Sequence, residues 1–464
     1  MSTKTAFESF SPESSPNDEL PSGSSSADFL RHLFRLLDES GTRYCVLHSW
    51  QNLPDVLSSD LDIAVHPDDR KRLAATIGGL SKSGFSPIQL INHNVNGNYF
   101  VFCWHSDGQL QTAAVDVIFE HRRGGLIADN GDELTTGSER FGEFQVASPS
   151  AALSYLLLKK AVKGKVKPKQ AANLRELVQL LGRDRSEQIV RKLFSARSSR
   201  KIISACLDGS LPEILPQMKR ASWMTGVTRK PLRLVRYLAG DAARLLRRWQ
   251  KPNGIFVAIL GPDGVGKSSA IGGLHDLIGP AFWGERYFHL RPQFFAARRP
   301  APAVTDPHAK PSRGALASSL RLTALLADYC LGYAFRLRQL KARSYLLVFD
   351  RYFFDVLVDP KRFRFGGPRW VARLYARLAP TPDLVLILDA DVETMLARKS
   401  ELPPEELNRQ REAYQQLSVR GSRVRLINTS GTREEVAYQT ATAIAEFLSQ
   451  QFVTMHPEWM AAKP

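Results

Sequence analysis

The stretch that most constrains the fold of this chain is residues 255–269, where an apolar run leads directly into a glycine-rich loop. The six apolar residues 255–260 have the length and composition of a buried strand. The loop after them fits the pattern G-x-x-x-x-G-K-[ST], in which glycines let backbone N–H groups turn toward phosphate oxygens. The sequence therefore predicts a site for a nucleoside triphosphate between this strand and a following helix.

The polar residues of the loop suit that chemistry. The Lys267 ammonium can reach the β- and γ-phosphates of ATP, and the Ser268 hydroxyl is a ligand for Mg²⁺. ATP and Mg²⁺ are therefore the expected cofactors. The loop residues that we expect around the nucleotide are Gly261, Asp263, Gly264, Gly266, Lys267, Ser268 and Ser269.

Length and charge limit the class of protein. A chain of 464 residues is long for a single core, so two or three domains are expected. We expect a soluble, cytoplasmic protein, because no apolar run has the length of a membrane-spanning helix and residues 1–15 lack an apolar signal core. The net charge of +17 favours an anionic partner, which leaves phosphorylated metabolites, nucleic acid and anionic membrane open.

Changes in composition divide the chain into five predicted segments. Residues 1–26 are rich in Ser and Pro, which is typical of a disordered tail. An α+β domain is expected over 27–148, and apolar residues at helical spacing predict a helical extension over 149–218. A basic amphipathic helix over 219–253 then leads to an α/β domain over 254–452, in which buried strands separated by helices predict a parallel sheet.

Three aspartates of the predicted N-terminal domain are candidate metal ligands. Asp60 and Asp62 stand at i and i+2 of a predicted strand, so both point to one face, where a hard cation such as Mg²⁺ finds several anionic oxygens. Asp116 lies inside a second apolar strand, where a lone carboxylate is costly to bury unless it is paired or metal-bound. The alternative interpretation is a surface pair of aspartates with a structural Asp116.

Ser49, the two-carboxylate strand and the later strand aspartate together resemble the polymerase β-type nucleotidyltransferase fold, over roughly residues 28–170. The resemblance implies that Ser49 lies beside nucleotide phosphates, and it makes Lys159 the candidate lysine to face a triphosphate. His48 stands where that family has glycine, so an inactive, regulatory N-terminal domain is an alternative to an active one. The metal ligands that the resemblance implies are Asp60, Asp62 and Asp116.

The linker helix is strongly basic and carries one acidic residue between positions 219 and 251. Two interpretations of it stay open. Its place beside a domain boundary favours an interdomain helix packed against the following domain, and its charge also suits a surface that contacts anionic lipid. The apolar residues that recur every three or four positions are Leu232, Val235, Leu238, Ala242, Leu245 and Trp249.

Further segments follow the glycine-rich loop in an informative order. Residues 345–350 and 384–389 are apolar strands that end in carboxylates, Asp350 and Asp389. With residues 287–293 and 406–417, this order is similar to the thymidylate kinase family of nucleoside-monophosphate kinases. The resemblance covers about residues 254–450 and includes the Asp-Arg-Tyr triplet that starts at Asp350. It implies a P-loop kinase fold with flanking helices, in which residues 406–417 end a mobile lid.

The same resemblance implies roles for individual side chains. Asp350 serves the metal or orients the acceptor, Arg351 grips the acceptor's anionic group, and Asp263 contacts the acceptor near its transferable end. Charge in the transition state is neutralised by arginines, since phosphoryl transfer depends on positioning and positive charge. The arginines implied to close over ATP are Arg398, Arg409 and Arg411; solubility of an exposed helix is the alternative role for the last two.

The segments that bind the phosphate acceptor in that family have a different sequence in this chain. The segment after Arg291 is basic and rich in proline rather than glycine, and Asp328 stands where family members have a base-reading arginine. A small-molecule phosphate acceptor is expected, which is another nucleotide, a sugar or a sugar phosphate. The alternatives are a kinase and nucleotidyltransferase that processes nucleic-acid ends, and a kinase with a regulatory N-terminal domain. A homodimer is also left open.

Overall fold

The computed structural model describes residues 25–94, 97–123, 126–229, 231–295, 311–399, 402–418 and 423–460. The predicted disordered tail lies outside these ranges except for its last two residues. Helix α1 (Ser26–Glu39) begins directly after Ser25, whose hydroxyl accepts a hydrogen bond from the Asp28 amide. Ser26, placed in the tail by the sequence prediction, is therefore already helical, because Ser25 caps the helix.

The N-terminal half is built on a mixed seven-stranded sheet of order β3-β4-β5-β2-β1-β9-β8. Strands β2 and β5 run parallel, with Asp62 directly opposite Asp116, whereas β4 forms antiparallel pairs with β3 and β5. Strands β6 and β7 form a separate ribbon. The elements are β1 (Tyr44–Val46), β2 (Leu61–Val65), α2 (Arg70–Lys82), β3 (Ser86–Asn94), β4 (Gly97–Ser106), β5 (Gln109–Ile118), β6 (Glu120–Arg123), β7 (Leu126–Asn130), α3 (Gly131–Thr135), β8 (Glu139–Phe141) and β9 (Phe144–Val146).

A group of helices follows this sheet and packs on it through α4. The buried side of α4, which includes Leu153 and Leu157, shares one apolar cluster with Cys45 and Leu47 at β1. Gly164 ends α4 in the left-handed conformation that glycine adopts without strain. The helices are α4 (Pro149–Lys163), α5 (Pro168–Leu181), α6 (Arg183–Arg191), α7 (Ala196–Asp208), α8 (Leu211–Arg229) and α9 (Pro231–Gln250).

The C-terminal half contains the predicted parallel sheet, which is confirmed as five strands in the order β11-β12-β10-β13-β14. The central strand β10 is buried along its full length, as its apolar sequence requires. The elements are β10 (Ile255–Leu260), α10 (Lys267–Gly272), α11 (Leu274–Leu277), β11 (Gly284–His289), α12 (Ala315–Gly332), α13 (Arg338–Ala342), β12 (Tyr345–Asp350), α14 (Asp355–Val358), α15 (Arg369–Leu378), β13 (Leu384–Asp389), α16 (Val392–Arg398), α17 (Pro404–Ser418), β14 (Val424–Asn428) and α18 (Arg433–Met455).

The two halves share apolar cores. Phe452 of α18 and Trp459 belong to the core of the N-terminal sheet, and the Trp459 ring lies edge-on to that of Phe100 at 4.9 Å between centroids. Conversely, Val101 of β4 and Leu110 of β5 belong to the core of the parallel sheet. In the described part of the chain, no helix has both the length and the apolar character needed to cross a membrane.

Helix α9 lies between the halves, but with an unexpected face inward. Its inner side carries Tyr237, Asp241 and Arg244, and the Arg244 guanidinium donates a hydrogen bond to the backbone oxygen of Asn92 at 2.8 Å. Its apolar residues, among them Leu232, are exposed. The predicted contact with the following domain is present, since the Arg338 guanidinium of α13 lies 5.6 Å from the centre of the Trp249 ring. Most of the apolar side is nevertheless exposed, because the hydrogen bond to β3 holds the opposite side inward.

Candidate functional site

The glycine-rich loop leaves β10 at the middle of the parallel sheet and enters α10. A side chain at Gly264 would bring its Cβ to 2.6 Å from the Met395 carbonyl oxygen, and the backbone there has φ +81°. Gly266 has φ +99°. Both conformations are ones that residues with a Cβ rarely adopt, so the close turn at the carboxyl end of β10 depends on glycine.

The Lys267 ammonium is folded back into the loop. It donates hydrogen bonds to the carbonyl oxygens of Gly261 and Pro262, at 2.9 Å and 2.7 Å. Burial, together with the charge of Arg351, lowers the pKa of Lys267 to about 8. A phosphate that approached this ammonium would relieve the cost of its burial, since an opposite charge favours the protonated form.

A network of ion pairs lies beside the loop. Arg351, at the end of β12 with φ +71°, donates to Asp263 and lies 3.6 Å from Asp355. Arg362 donates to the other oxygen of Asp263. Burial alone would raise the pKa of Asp263, but the charges of Arg351, Lys267 and Arg362 hold it well below its usual range. The sequence placed Asp263 and Arg351 in the site, and their direct pairing was not part of that prediction.

Asp350 ends β12 next to these ion pairs. Its Oδ2 accepts a hydrogen bond from the Tyr287 hydroxyl at 2.9 Å, whereas its Oδ1 is buried without a hydrogen-bond partner among the described residues. Burial would raise its pKa, but the hydrogen bond with His289 and the charges of Lys267 and Arg351 lower it. An ionised carboxylate with a free oxygen suits a hard cation.

These residues surround a cleft of about 410 Å³. The loop residues from Asp263 to Ser269 line it, apart from Val265, together with Asp350 and Arg351. The sequence prediction missed several lining side chains, and these are His289, Arg362, Lys399, Thr432 and Arg433. Arg433 follows the carboxyl end of β14, where ligands of parallel sheets gather, so its position was a usable signal. Arg362 does not follow the carboxyl end of a strand, so its position in the sequence carried no such signal.

The three arginines expected to close over ATP lie in different places. Arg398 lines the cleft and donates to the Gly431 oxygen at 3.4 Å. Arg409 instead pairs with Glu406 at 2.7 Å, and Arg411 forms two hydrogen bonds to Asp389, at 2.7 Å and 3.0 Å. The structure therefore brings Arg398 to the loop, and it uses Arg411 to tie α17 to the end of β13.

A second cleft, of about 840 Å³, lies between the chain that follows β11 and α12. It is both basic and apolar, with Phe295, Leu322 and Phe365 among its lining residues. Arg362 lines both clefts, so the two spaces meet at this guanidinium. The lining arginines are Arg291, Arg313, Arg321, Arg362 and Arg364.

Asp328 has a structural position in this second cleft. It is buried on α12, and its carboxylate accepts hydrogen bonds from the backbone amides of residues 293, 294 and 295, the shortest at 2.7 Å. Asp328 therefore fixes the chain that follows β11. It holds one wall of the cleft by main-chain contacts.

The three aspartates predicted as metal ligands come together in the N-terminal half. One carboxylate oxygen from each of Asp60, Asp62 and Asp116 lies within 4.8 Å of the others. The parallel pairing of β2 with β5 places Asp62 opposite Asp116, and Asp60 immediately precedes β2. Burial and the neighbouring carboxylates raise the pKa of Asp116 to about 8. A divalent cation would reverse that shift, so the group fits a metal site.

Basic side chains also contact this cluster. The Lys159 ammonium and the Tyr155 hydroxyl both donate to Asp62 Oδ1 at 2.6 Å, and His48 Nε2 lies 2.9 Å from Oδ2. Burial would raise the pKa of Asp62, but His48 and Lys159 lower it below its usual range. Ser49, at φ +58°, lies beside the His48 ring at 2.9 Å. Lys159 therefore reaches the carboxylates themselves.

Comparison with known proteins gives no family for this chain. No protein-family model matches it, and a search of curated proteins finds no match.

Proposed function

We propose that this protein is an ATP- and Mg²⁺-dependent phosphotransferase of the thymidylate kinase type. The observation that carries the proposal is the loop of residues 261–269, with buried Lys267, beside a carboxylate oxygen of Asp350 that has no hydrogen-bond partner in the described part of the chain. Both lie at carboxyl ends of central strands in an all-parallel sheet, where such folds bind ligands.

Mg²⁺ would be held by Ser268 and Asp350, and it would neutralise phosphate charge when bound. The chain's own residues then position the reactants. Lys267 contacts the terminal phosphates, and Arg398 and Arg433 supply positive charge along the cleft. Positioning and charge neutralisation are the main contributions a protein makes to phosphoryl transfer.

The acceptor is proposed to occupy the second cleft. Its five lining arginines favour an acceptor that already carries phosphate or carboxylate groups, because guanidinium forks bind such anions in two-point contacts. Arg362 lines both clefts and would hold the acceptor next to the transferred group. A nucleotide or a sugar phosphate meets this description better than an uncharged sugar.

The test is phosphate transfer from γ-labelled ATP by the full chain. The acceptor panel contains nucleoside monophosphates, sugars, sugar phosphates and a 5′-hydroxyl oligonucleotide. We expect labelling of an anionic small molecule and a loss of at least about a hundredfold in Lys267→Ala, since removing one transition-state donor costs about that much. Lys71→Ala, an exposed lysine on α2, is the matched control. Wild-type turnover by Lys267→Ala would contradict the proposal, and a labelled oligonucleotide would favour end processing.

A second proposed activity is nucleotidyl transfer by the N-terminal domain, favoured by the three clustered aspartates. These carboxylates would hold Mg²⁺, and Ser49 would lie beside the nucleotide phosphates. We expect Mg²⁺-dependent binding of a nucleoside triphosphate, measured on a Lys267→Ala background that silences the other site, and its loss in Asp60→Asn. No binding in either protein would instead favour a regulatory N-terminal domain, which the Lys159–Asp62 ion pair also suits.

A further inference from the structure

Helix α9 presents an apolar surface to solvent. Leu232 is 81% exposed, Val235 63% and Leu246 57%. At 3.6 residues per turn, eight consecutive positions around the helix are apolar and cover an arc of about 140°. We call these residues the outer face, and they are Leu232, Val235, Leu238, Ala239, Ala242, Leu245, Leu246 and Trp249.

The opposite side of α9 is fixed to the protein. Asp241 pairs with Arg244 at 2.7 Å, and Arg244 also donates to the backbone oxygen of Asn92 on β3. The Arg122 guanidinium lies 5.9 Å from the centre of the Tyr237 ring. The contacts of Arg244 and Tyr237 with other elements hold the orientation of the helix, so turning the outer face inward would break the hydrogen bond to Asn92 and separate Tyr237 from Arg122.

Positive charge borders the outer face. Arg233, Arg236 and Arg247 are exposed along one edge of it. Residues 219–251 contain ten lysines and arginines and one aspartate, a net charge of +9 out of +17 for the chain. That aspartate is Asp241, which is paired on the inner side.

We propose that α9 binds the surface of an anionic lipid bilayer, with its outer face among the acyl chains and its arginines at the phosphates. A helix with one apolar face and a strongly basic edge is the usual design for lying in a membrane interface. Five arginines and an aspartate within α9 oppose insertion across the bilayer, and they are compatible with a helix that lies along it.

A bilayer fits this surface better than a second copy of the chain or a nucleic acid. Two α9 helices packed together would bring arginine rows close without acidic partners, and like charges across an interface are costly. Nucleic acid would use the arginines, but it would leave the apolar arc in water, because phosphate contacts supply most of such binding.

The test uses the full chain and vesicle flotation. Vesicles contain either phosphatidylcholine alone or phosphatidylcholine with about one third phosphatidylglycerol. We expect binding to the anionic vesicles, weakening with salt, and little binding to the neutral ones. Leu246→Glu should reduce binding at least about tenfold, because it places a charge in the outer face, which lies among the acyl chains when the protein is bound. Leu180→Glu, at an exposed leucine of α5, is the matched control and should bind as wild type.

A triple variant tests the basic edge. Arg233→Gln, Arg236→Gln and Arg247→Gln together should weaken binding about a hundredfold, at roughly fivefold per arginine. The control removes the same number of positive charges from α7, by Arg197→Gln, Arg200→Gln and Lys201→Gln. Three results overturn the proposal: no binding of wild type to anionic vesicles, equal binding by Leu246→Glu, or a dimer in sedimentation velocity that Leu246→Glu converts to monomer.

Discussion

At the scale of single residues, both candidate sites hold a buried carboxylate with basic side chains. Asp263 is held by Arg351 and Arg362, and Asp62 by Lys159 together with His48. Such pairing fixes side-chain positions before a ligand arrives, which reduces the cost of ordering them on binding. The consequence differs between the sites, because the Lys159 ammonium occupies space beside the carboxylates where a cation would bind.

Lys159→Met is therefore expected to strengthen divalent cation binding in the N-terminal half. The variant removes a positive charge 2.6 Å from Asp62 while keeping an unbranched side chain of similar length. A gain of at least about tenfold in Mn²⁺ affinity is expected, since repulsion between the ammonium and a divalent ion disappears. Titration calorimetry on an Asp350→Asn background, which removes the other candidate site, measures it.

The control for this change is Lys163→Met, an exposed lysine one turn further along α4. It should leave Mn²⁺ affinity within about twofold of the parent, because its charge is screened by solvent. Weaker Mn²⁺ binding in Lys159→Met would show that the lysine supports the metal site, and the description of Lys159 as a competitor of the cation would be wrong.

At the scale of elements, the second cleft, where we propose that the acceptor binds, depends on how the chain after β11 is tied to α12. Asp328 accepts three backbone hydrogen bonds there. Asp328→Ala should lower the free energy of unfolding by about 1–3 kcal/mol, the cost of leaving buried amides without an acceptor. It should also raise the KM for the acceptor by about tenfold, with little change in the KM for ATP, because Asp328 lines only the second of the two clefts described.

Asp328→Asn is the matched variant, since its amide oxygen can still accept hydrogen bonds from the backbone. We expect it to recover part of the lost stability, measured by urea denaturation, and part of the acceptor affinity. A KM for ATP that rises as much as that for the acceptor in Asp328→Ala would contradict the assignment of this wall to the acceptor.

Some elements could be predicted from the sequence and others could not. The bounds of β12 and β13 agree with their apolar runs, because both strands are buried on two faces and end at polar turns. Periodicity also identified the residues that share one face of α9. It could not tell which way that face points, since the inner contacts come from β3 and β6, far away in the chain.

The same limit applies to the candidate sites. The loop residues and Asp350 were predictable, because strand, glycine and lysine stand in a fixed local order. Arg362 was not, since its pairing with Asp263 spans 99 positions and depends on how the turn after α14 folds back. A π-helical turn, Tyr333–Leu337, also lies between α12 and α13, and no local sequence pattern marked it.

At the scale of the whole molecule, the two halves are not independent cores joined by a linker. Residues of β4 and β5 pack in the core of the parallel sheet, and α18 with the turn after it packs on the N-terminal sheet. The His105 ring and the Tyr438 hydroxyl also meet at 2.7 Å across the contact. A fragment that begins near residue 250 would expose apolar surface, so activity is best measured on the full chain.

Trp459→Ala is expected to destabilise the N-terminal half although it lies at the far end of the sequence. The Trp459 side chain is buried against Phe100, and removal of a buried tryptophan typically costs about 3–5 kcal/mol. The loss should appear as faster hydrogen exchange in β3 and β4, and as a lower urea midpoint for one shared unfolding transition. Trp370→Ala, at an exposed tryptophan of α15, should change neither. Unchanged exchange in β3 and β4 would mean that the N-terminal sheet is stable without the C-terminal turn, and that the halves unfold separately.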